Sequence, residues 1–153
     1  MKMAGDSVID YSTIKGLRGK SFIGVGIATA VIRNDRLLMG LRRNAHAEGT
    51  YGTPGGHLRV GESFEEGAAR ELEEETGLKA SEFSFLGATN DRFSEGLHYI
   101  TVFMKALDVQ GEPQLKEPEK FLGWEWFPTA RLPKNLMLPV ANLLKQNPEV
   151  FKR

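Results

Sequence analysis

The sequence predicts an α+β domain in which β-strands flank one strongly acidic helix. Three observations carry this. Residues 64–76 bear a full set of helix signals: Ser63 is an N-cap, Glu66 completes a capping box with it, and Gly77 supplies the stop. On either side lie runs rich in β-branched and aromatic residues with turn signals between them, over 21–43, 83–93 and 98–107. The tail ends in a short amphipathic stretch, Leu138 to Gln146.

Composition narrows the class. With 153 residues, 41% hydrophobic and 26% charged, the chain is long enough for one domain around one core. The expected division is an N-terminal arm over 1–20 and one domain over 21–153. There is no cysteine, which excludes disulfides, thiolate metal sites and a cysteine nucleophile. The longest apolar run, Phe22 to Ile32, is too short to span a bilayer, and the first twelve residues carry two Asp and no apolar core. A cytoplasmic protein without a membrane partner is the expectation. The net charge is zero, yet residues 62–75 hold seven acids and one base, leaving 13 acids against 19 bases elsewhere. An acidic site in a mildly basic remainder suits a polyphosphate ligand. No Lys- or Arg-rich run marks a nucleic-acid face, so no polymer partner is expected.

In chain order, residues 1–20 read as a loose arm or an early strand. SFIGVGIATAVIRNDRLLMGLRR reads as two strands turning at Asn34-Asp35. Gly24 and Gly26 mark either a bulge, the more common case, or the close approach of a ligand. Arg42 and Arg43 fall on opposite faces by strand alternation, so one of them meets the working face. The loop 44–54 delivers the chain to Gly55-Gly56, with His46 expected at the surface. His57, just after the glycines, either packs in the turn or donates to a bound phosphate.

At about 100° per residue, Phe64, Ala68 and Leu72 form one stripe that should face the core. Glu71, Glu74 and Glu75 flank that stripe beside Gly67, which leaves room for a bulky ion–phosphate cluster, while Glu65, Glu66 and Glu73 point to water. Carboxylates spaced i, i+3, i+4 repel one another, and partial burial makes this worse. A hard divalent cation, Mg²⁺ or Mn²⁺ in its place, would reverse the sign. On spacing alone, a solvated acidic face is equally compatible. Arg70 can reach Glu74 at i+4.

After the helix, alternation in Tyr99, Thr101, Phe103 against Ile100, Val102, Met104 predicts a strand buried on both faces. The polar loop VQGEPQLKEPEK carries free acids, Glu117 and Glu119 among them. Trp124 and Trp126 share one face of a strand and belong to the core.

From Gly56 the chain reads Gly, five residues, Glu62, seven residues, Arg70-Glu71-Leu72, one residue, Glu74-Glu75, one residue, Gly77-Leu78. This resembles the signature of the Nudix hydrolases at all nine specified positions across 23 residues. GVG at 24, LRR at 41, PGGHL, HYITVFMKA, EPEK and WEW extend the resemblance, over about residues 21–146, to the MutT-like nucleoside triphosphate diphosphatases. The resemblance implies an α/β/α sandwich with a mixed sheet. It implies Mg²⁺-dependent hydrolysis of a nucleoside triphosphate (a purine, oxidised dGTP among the candidates) to the monophosphate and pyrophosphate. Glu71, Glu74 and Glu75, with the Gly55 carbonyl, would hold the metal. One of the helix carboxylates, or Glu119, would orient or deprotonate water. Glu119 is preferred over Glu117 because it lies five residues before Trp124, as the loop acid of relatives does. Arg42 would contact phosphate, with His57 beside it, and Glu62 and Arg70 would steady the ligands. Relatives carry an aromatic base-pocket residue where this chain has Leu138, so weaker base discrimination is expected. The partner is a small nucleotide, and a homodimer is compatible. Two rival readings remain: a nucleoside diphosphate linked to a sugar or second nucleoside as substrate, and a nucleotide-sensing module without turnover.

Overall fold

The computed structural model describes residues 16–152, so most of the predicted N-terminal arm lies outside the described residues. The elements run β1 (Gly24–Arg33), β2 (Arg36–Arg42), β3 (Tyr51–Gly52), β4 (Gly55–His57), α1 (Phe64–Thr76), β5 (Glu82–Arg92), β6 (His98–Leu107), β7 (Phe121–Pro128) and α2 (Leu138–Gln146). The β1–β2 turn sits where the dipeptide Asn34-Asp35 predicts. Both residues take positive φ, 52° and 57°, matching the right-handed twist of the strands they join.

The sheet is mixed. Its order is β3-β2-β1-β6-β5, with β4 pairing β1 and β7 pairing β2. β1 and β6 are parallel, and the other pairs are antiparallel. Strand alternation then divides the core. Ala28, Ala30, Leu37, Met39 and Phe103 pack with Val140 and Leu143 of α2. Their neighbours Ile27, Val31, Leu38, Val102 and Met104 pack on the other side, around Ala68 and Leu72 of α1. The sheet is therefore sandwiched between the two helices, as expected. Trp124 and Trp126 join the α1 side.

Two expectations need correction. Phe64 is 41% exposed and does not extend the core stripe, because it is the first residue of α1, where the chain has only begun to approach the sheet. Nor do Gly24 and Gly26 mark a bulge: residues 24–31 run in unbroken parallel register with 99–106. Gly24 is there because the Tyr99 ring occupies the space of its missing side chain. Gly24→Ala is expected to cost about 1–3 kcal/mol through this overlap. The check is the Tm, and an unchanged Tm would show that the ring has room to turn.

Candidate active site

α1 begins where designed: the Ser63 hydroxyl accepts from the Glu66 N–H at 3.0 Å, and the Gly77 N–H closes on the Glu73 carbonyl at 2.9 Å. The helix turns Glu71 and Glu75 inward, 8% and 1% exposed, while Glu74 stays at the surface. β4 brings Gly55 and Gly56 against this face by pairing with Ile27 and Ala28. The Gly55 N–H donates to Glu75 Oε1 at 2.6 Å. Gly56 must lack a side chain because the Glu71 carboxylate lies over it. Gly67 serves packing instead of ligand room: a Cβ there would come within 2.8 Å of Glu62 and 2.9 Å of Leu58.

Arg70 is the hub of the cluster. Its Nε donates to Glu62 at 2.6 Å, Nη1 to Glu71 at 2.7 Å and to Glu74 at 3.4 Å, and Nη2 to the His57 carbonyl at 2.9 Å. The predicted i+4 contact with Glu74 exists, but the shorter bonds go to Glu62 and Glu71. These bonds hold the Glu62 carboxyl below its usual range. Glu71 is raised by burial, against the pull of Arg70. Glu75 is pushed up to about 8, first by burial and then by Glu71 and Glu117, with the Gly55 N–H opposing.

Two adjoining cavities open here. One, about 500 Å³, is lined by Glu71, Glu74 and Glu75 on one side and Arg18, Arg42, Arg59 and Lys120 around it. The other, about 200 Å³, is mostly apolar, with Phe93, Leu97, Phe103, Met137 and Val140 among its walls. Arg42, Gly55, Gly56 and His57 line both. Of the arginine pair, then, Arg42 enters the site, its guanidinium over the Phe121 ring at 5.2 Å, while Arg43 is exposed. Burial lowers the Arg42 pKa, and the charges of Glu75 and Glu117 oppose that. His57 Nε2 lies 3.3 Å from the Tyr99 hydroxyl.

Three placements depart from the sequence reading. Glu119 is exposed, whereas Glu117 is half-buried and acts electrostatically on both Glu75 and Arg42. The two acids are two residues apart across Pro118, and the turn at 118–120 sends only the first inward. Glu117 pairs with Lys120 at 2.8 Å, which raises the lysine. Leu138 is absent from the cavity wall, where Met137, Pro139 and Val140 stand. α2 starts at Leu138, and with residues 139 and 140 turned to the cavity, 100° steps carry 138 away from it. His46 is half-buried and lines the apolar cavity instead of lying at the surface. Lys120, Arg59 and Arg18 had no signal in the sequence beyond their charge, since loops and β4 bring them together.

The donor set fits a hard divalent cation. Glu71, Glu74 and Glu75 offer only oxygen, and buried Glu75 is a carboxylate short of positive charge, which a cation would supply. Among the described residues no three acidic or histidine side chains converge as a ready metal-holding group, Arg70 holding Glu62, Glu71 and Glu74 to itself.

Carboxylates suited to a hard cation, facing side chains suited to phosphate, belong to an enzyme that hydrolyses phosphoanhydrides. The chain is a member of the NUDIX family: the family model described as NUDIX domain matches residues 23–146. It is 34% identical over 135 residues to the ADP-ribose pyrophosphatase of Methanocaldococcus jannaschii, covering 87% of this chain and 78% of that one. It is 29% identical to the oxidized purine nucleoside triphosphate hydrolase of Mus musculus, over 67% of this chain and 65% of that one. A MutT NUDIX hydrolase from Burkholderia pseudomallei superposes with a TM-score of 0.76 at 29% identity, covering 82% of this chain and 98% of the other. The chain spans only 40% of the length of the NAD-capped RNA hydrolase of Vibrio atlanticus, which it also matches. NUDIX hydrolases generally use divalent metal ions. No helix among the described residues is long and apolar enough to cross a membrane.

Proposed function

We propose that this enzyme hydrolyses a nucleoside triphosphate, a purine by preference, to the monophosphate and pyrophosphate with Mg²⁺. The observation that carries the reading is the pair of adjoining cavities. The charged one suits a polyphosphate chain, and the apolar one, about 200 Å³, suits one flat base with a few polar groups around it. In this reading Glu71, Glu74, Glu75 and the Gly55 carbonyl hold the metal, which when bound supplies Lewis-acid polarisation of the phosphate oxygens. Arg42, Lys120 and His57 bind and orient the phosphates. Glu62 and Arg70 aim the helix carboxylates. One of those carboxylates, or Glu117 in place of Glu119, takes the proton of the attacking water.

A second reading has its own support. The archaeal relative, at 34% identity, is named for ADP-ribose, in which the phosphoanhydride links two ribosyl groups. Product identity separates the two: nucleoside monophosphate with pyrophosphate for the first, AMP with ribose 5-phosphate for the second. A panel of common and oxidised triphosphates and ADP-ribose, assayed with Mg²⁺ and read by product, is the test. Hydrolysis of ADP-ribose alone would overturn the triphosphate reading.

The arginine pair checks the phosphate assignment. Arg42→Ala is expected to raise KM for triphosphates at least tenfold, about 1.4 kcal/mol. Arg43→Ala should leave it within about twofold, since that side chain is exposed. Equal, small effects in steady-state kinetics would place the phosphates elsewhere.

A further inference from the structure

Thr53 lies between β3 and β4 and lines the apolar cavity but not the charged one. Its backbone is pinned on both sides. The Tyr51 N–H donates to the Asn135 carbonyl and the Tyr51 carbonyl accepts from the Met137 N–H, both at 2.8 Å. The Pro54 carbonyl accepts from the Thr29 N–H, also at 2.8 Å. A residue before proline is held extended, so alternation carries on from Tyr51 and turns residue 53 to the same face. That face is the α2 side of the sheet, where Tyr51 packs on a cluster that includes Ala28, Phe103 and Val140. The same three residues are walls of the apolar cavity.

Thr53 is 8% exposed, and among the described residues its hydroxyl has no hydrogen-bond partner. His46 Nε2 also lacks one but is sealed from solvent, whereas the Thr53 oxygen is not sealed. The small surface that Thr53 keeps therefore includes its hydroxyl, and the cavity it lines is the space it opens into. The two other hydroxyls on this wall are committed. That of Tyr99 lies 3.3 Å from His57 Nε2 and donates to the Arg18 carbonyl at 3.4 Å, and that of Thr101 donates to buried Asp91 at 2.7 Å. An open hydroxyl is hydrated until a ligand displaces the water, after which it needs a partner on the ligand.

We infer that Thr53 determines specificity in this cavity by hydrogen-bonding one polar atom on the edge of the base. The inference rests on the part of the reading above that puts a base here, which triphosphates and ADP-ribose have in common. A hydroxyl both donates and accepts, so it serves a base oxygen or a base N–H alike. What it penalises is an edge with neither, because the hydroxyl then loses its water and gains nothing. This gives the cavity a polar selector that does not depend on an aromatic residue at the start of α2.

The test compares kcat/KM of the full chain, wild type against Thr53→Val and Thr53→Ser, on purine triphosphates differing by one polar group. The pairs are dGTP and dITP for the 2-amino group, dGTP and 2-aminopurine deoxyriboside triphosphate for the 6-oxygen, dATP and purine deoxyriboside triphosphate for the 6-amino group, and 8-oxo-dGTP and dGTP for the oxidised ring edge. The wild type is expected to favour the more polar member of at least one pair by about fivefold or more. Thr53→Val, which exchanges the hydroxyl for a methyl of similar shape, should bring that ratio close to one, and Thr53→Ser should keep it. The Tm of Thr53→Val should equal or exceed that of the wild type, since the hydroxyl has no partner to lose among the described residues. No preference in the wild type, a ratio unchanged in Thr53→Val, or a lower Tm with an equal loss on every substrate would each overturn the inference. A wild type that hydrolyses ADP-ribose alone would overturn the triphosphate reading instead. The comparison would then run between ADP-ribose and its unsubstituted-purine analogue, where the same collapse of the ratio in Thr53→Val is expected and its absence would sink the inference.

Discussion

Glu75→Gln is expected to lower turnover in Mg²⁺ by several orders of magnitude while leaving the metal-free protein more stable at alkaline pH. Both effects follow from one buried carboxylate. In the proposed function it is a metal ligand, whose charge would be needed during phosphoryl transfer and which an amide does not replace. In the absence of metal the same charge is a burden, because burial and the neighbouring Glu71 and Glu117 push its pKa up to about 8. The folded protein therefore holds this proton more tightly than the unfolded chain. The stability it lends is complete below the ordinary glutamate range and is lost as pH rises from about 4.5 to about 8. Glutamine stays neutral, so the variant should lack this loss. Thermal unfolding with a chelator should show wild type and variant close together near pH 5, with the variant ahead near pH 8 by an amount on the order of a few kcal/mol at most. Adding Mg²⁺ should raise the wild-type Tm and leave the variant's nearly unchanged. Near-normal turnover of Glu75→Gln would remove the metal from this helix.

Arg70→Met should damage stability and catalysis together. It removes the cation common to Glu62, Glu71 and Glu74 and the donor to the His57 carbonyl. Met preserves the helix and most of the apolar stem, so the change isolates the guanidinium. Breaking one side of a largely buried charge network costs about 3–5 kcal/mol; Arg70 is 17% exposed, so about 2–4 kcal/mol is expected. With Glu71 and Glu74 no longer aimed, metal affinity or kcat should fall about 10–100-fold. Excess Mg²⁺ should restore part of the stability, since it replaces some of the lost positive charge, but not the full rate. Chemical denaturation with and without Mg²⁺, alongside steady-state kinetics, checks this. A variant as active and as stable as the wild type would make the network a surface feature.

The helix of the site was legible in the sequence to the residue. Ser63, Glu66 and Gly77 act through bonds to the backbone of α1 itself, so its limits need no knowledge of the rest of the fold. The inward turn of Glu71 and Glu75 was legible for the same reason, because helical periodicity ranks positions around the axis, but Glu74, read onto the same flank, stays at the surface. Phe64 lay on the predicted stripe yet is exposed, since periodicity gives direction and not the distance to the sheet. In the strands, alternation put Arg42 and Arg43 on opposite faces and the family resemblance favoured Arg42, but only the sheet decides which face reaches the cavity.

What the sequence determined by itself is local: the turn at Asn34-Asp35, the caps of α1 and the spacing of its carboxylates. Such features depend on bonds and steric limits within a few residues, and no alternative packing would remove them. Tertiary structure decided everything that joins distant segments. Glu117, and not Glu119, acts on Glu75, and Lys120 and Arg42 line the same cavity, because β7 pairs with β2. His46 meets Glu95 across two loops, and Met137, not Leu138, reaches the cavity wall. Loops impose no period on their side chains, so which of two neighbouring acids turns inward is settled by the packing that anchors the loop's ends.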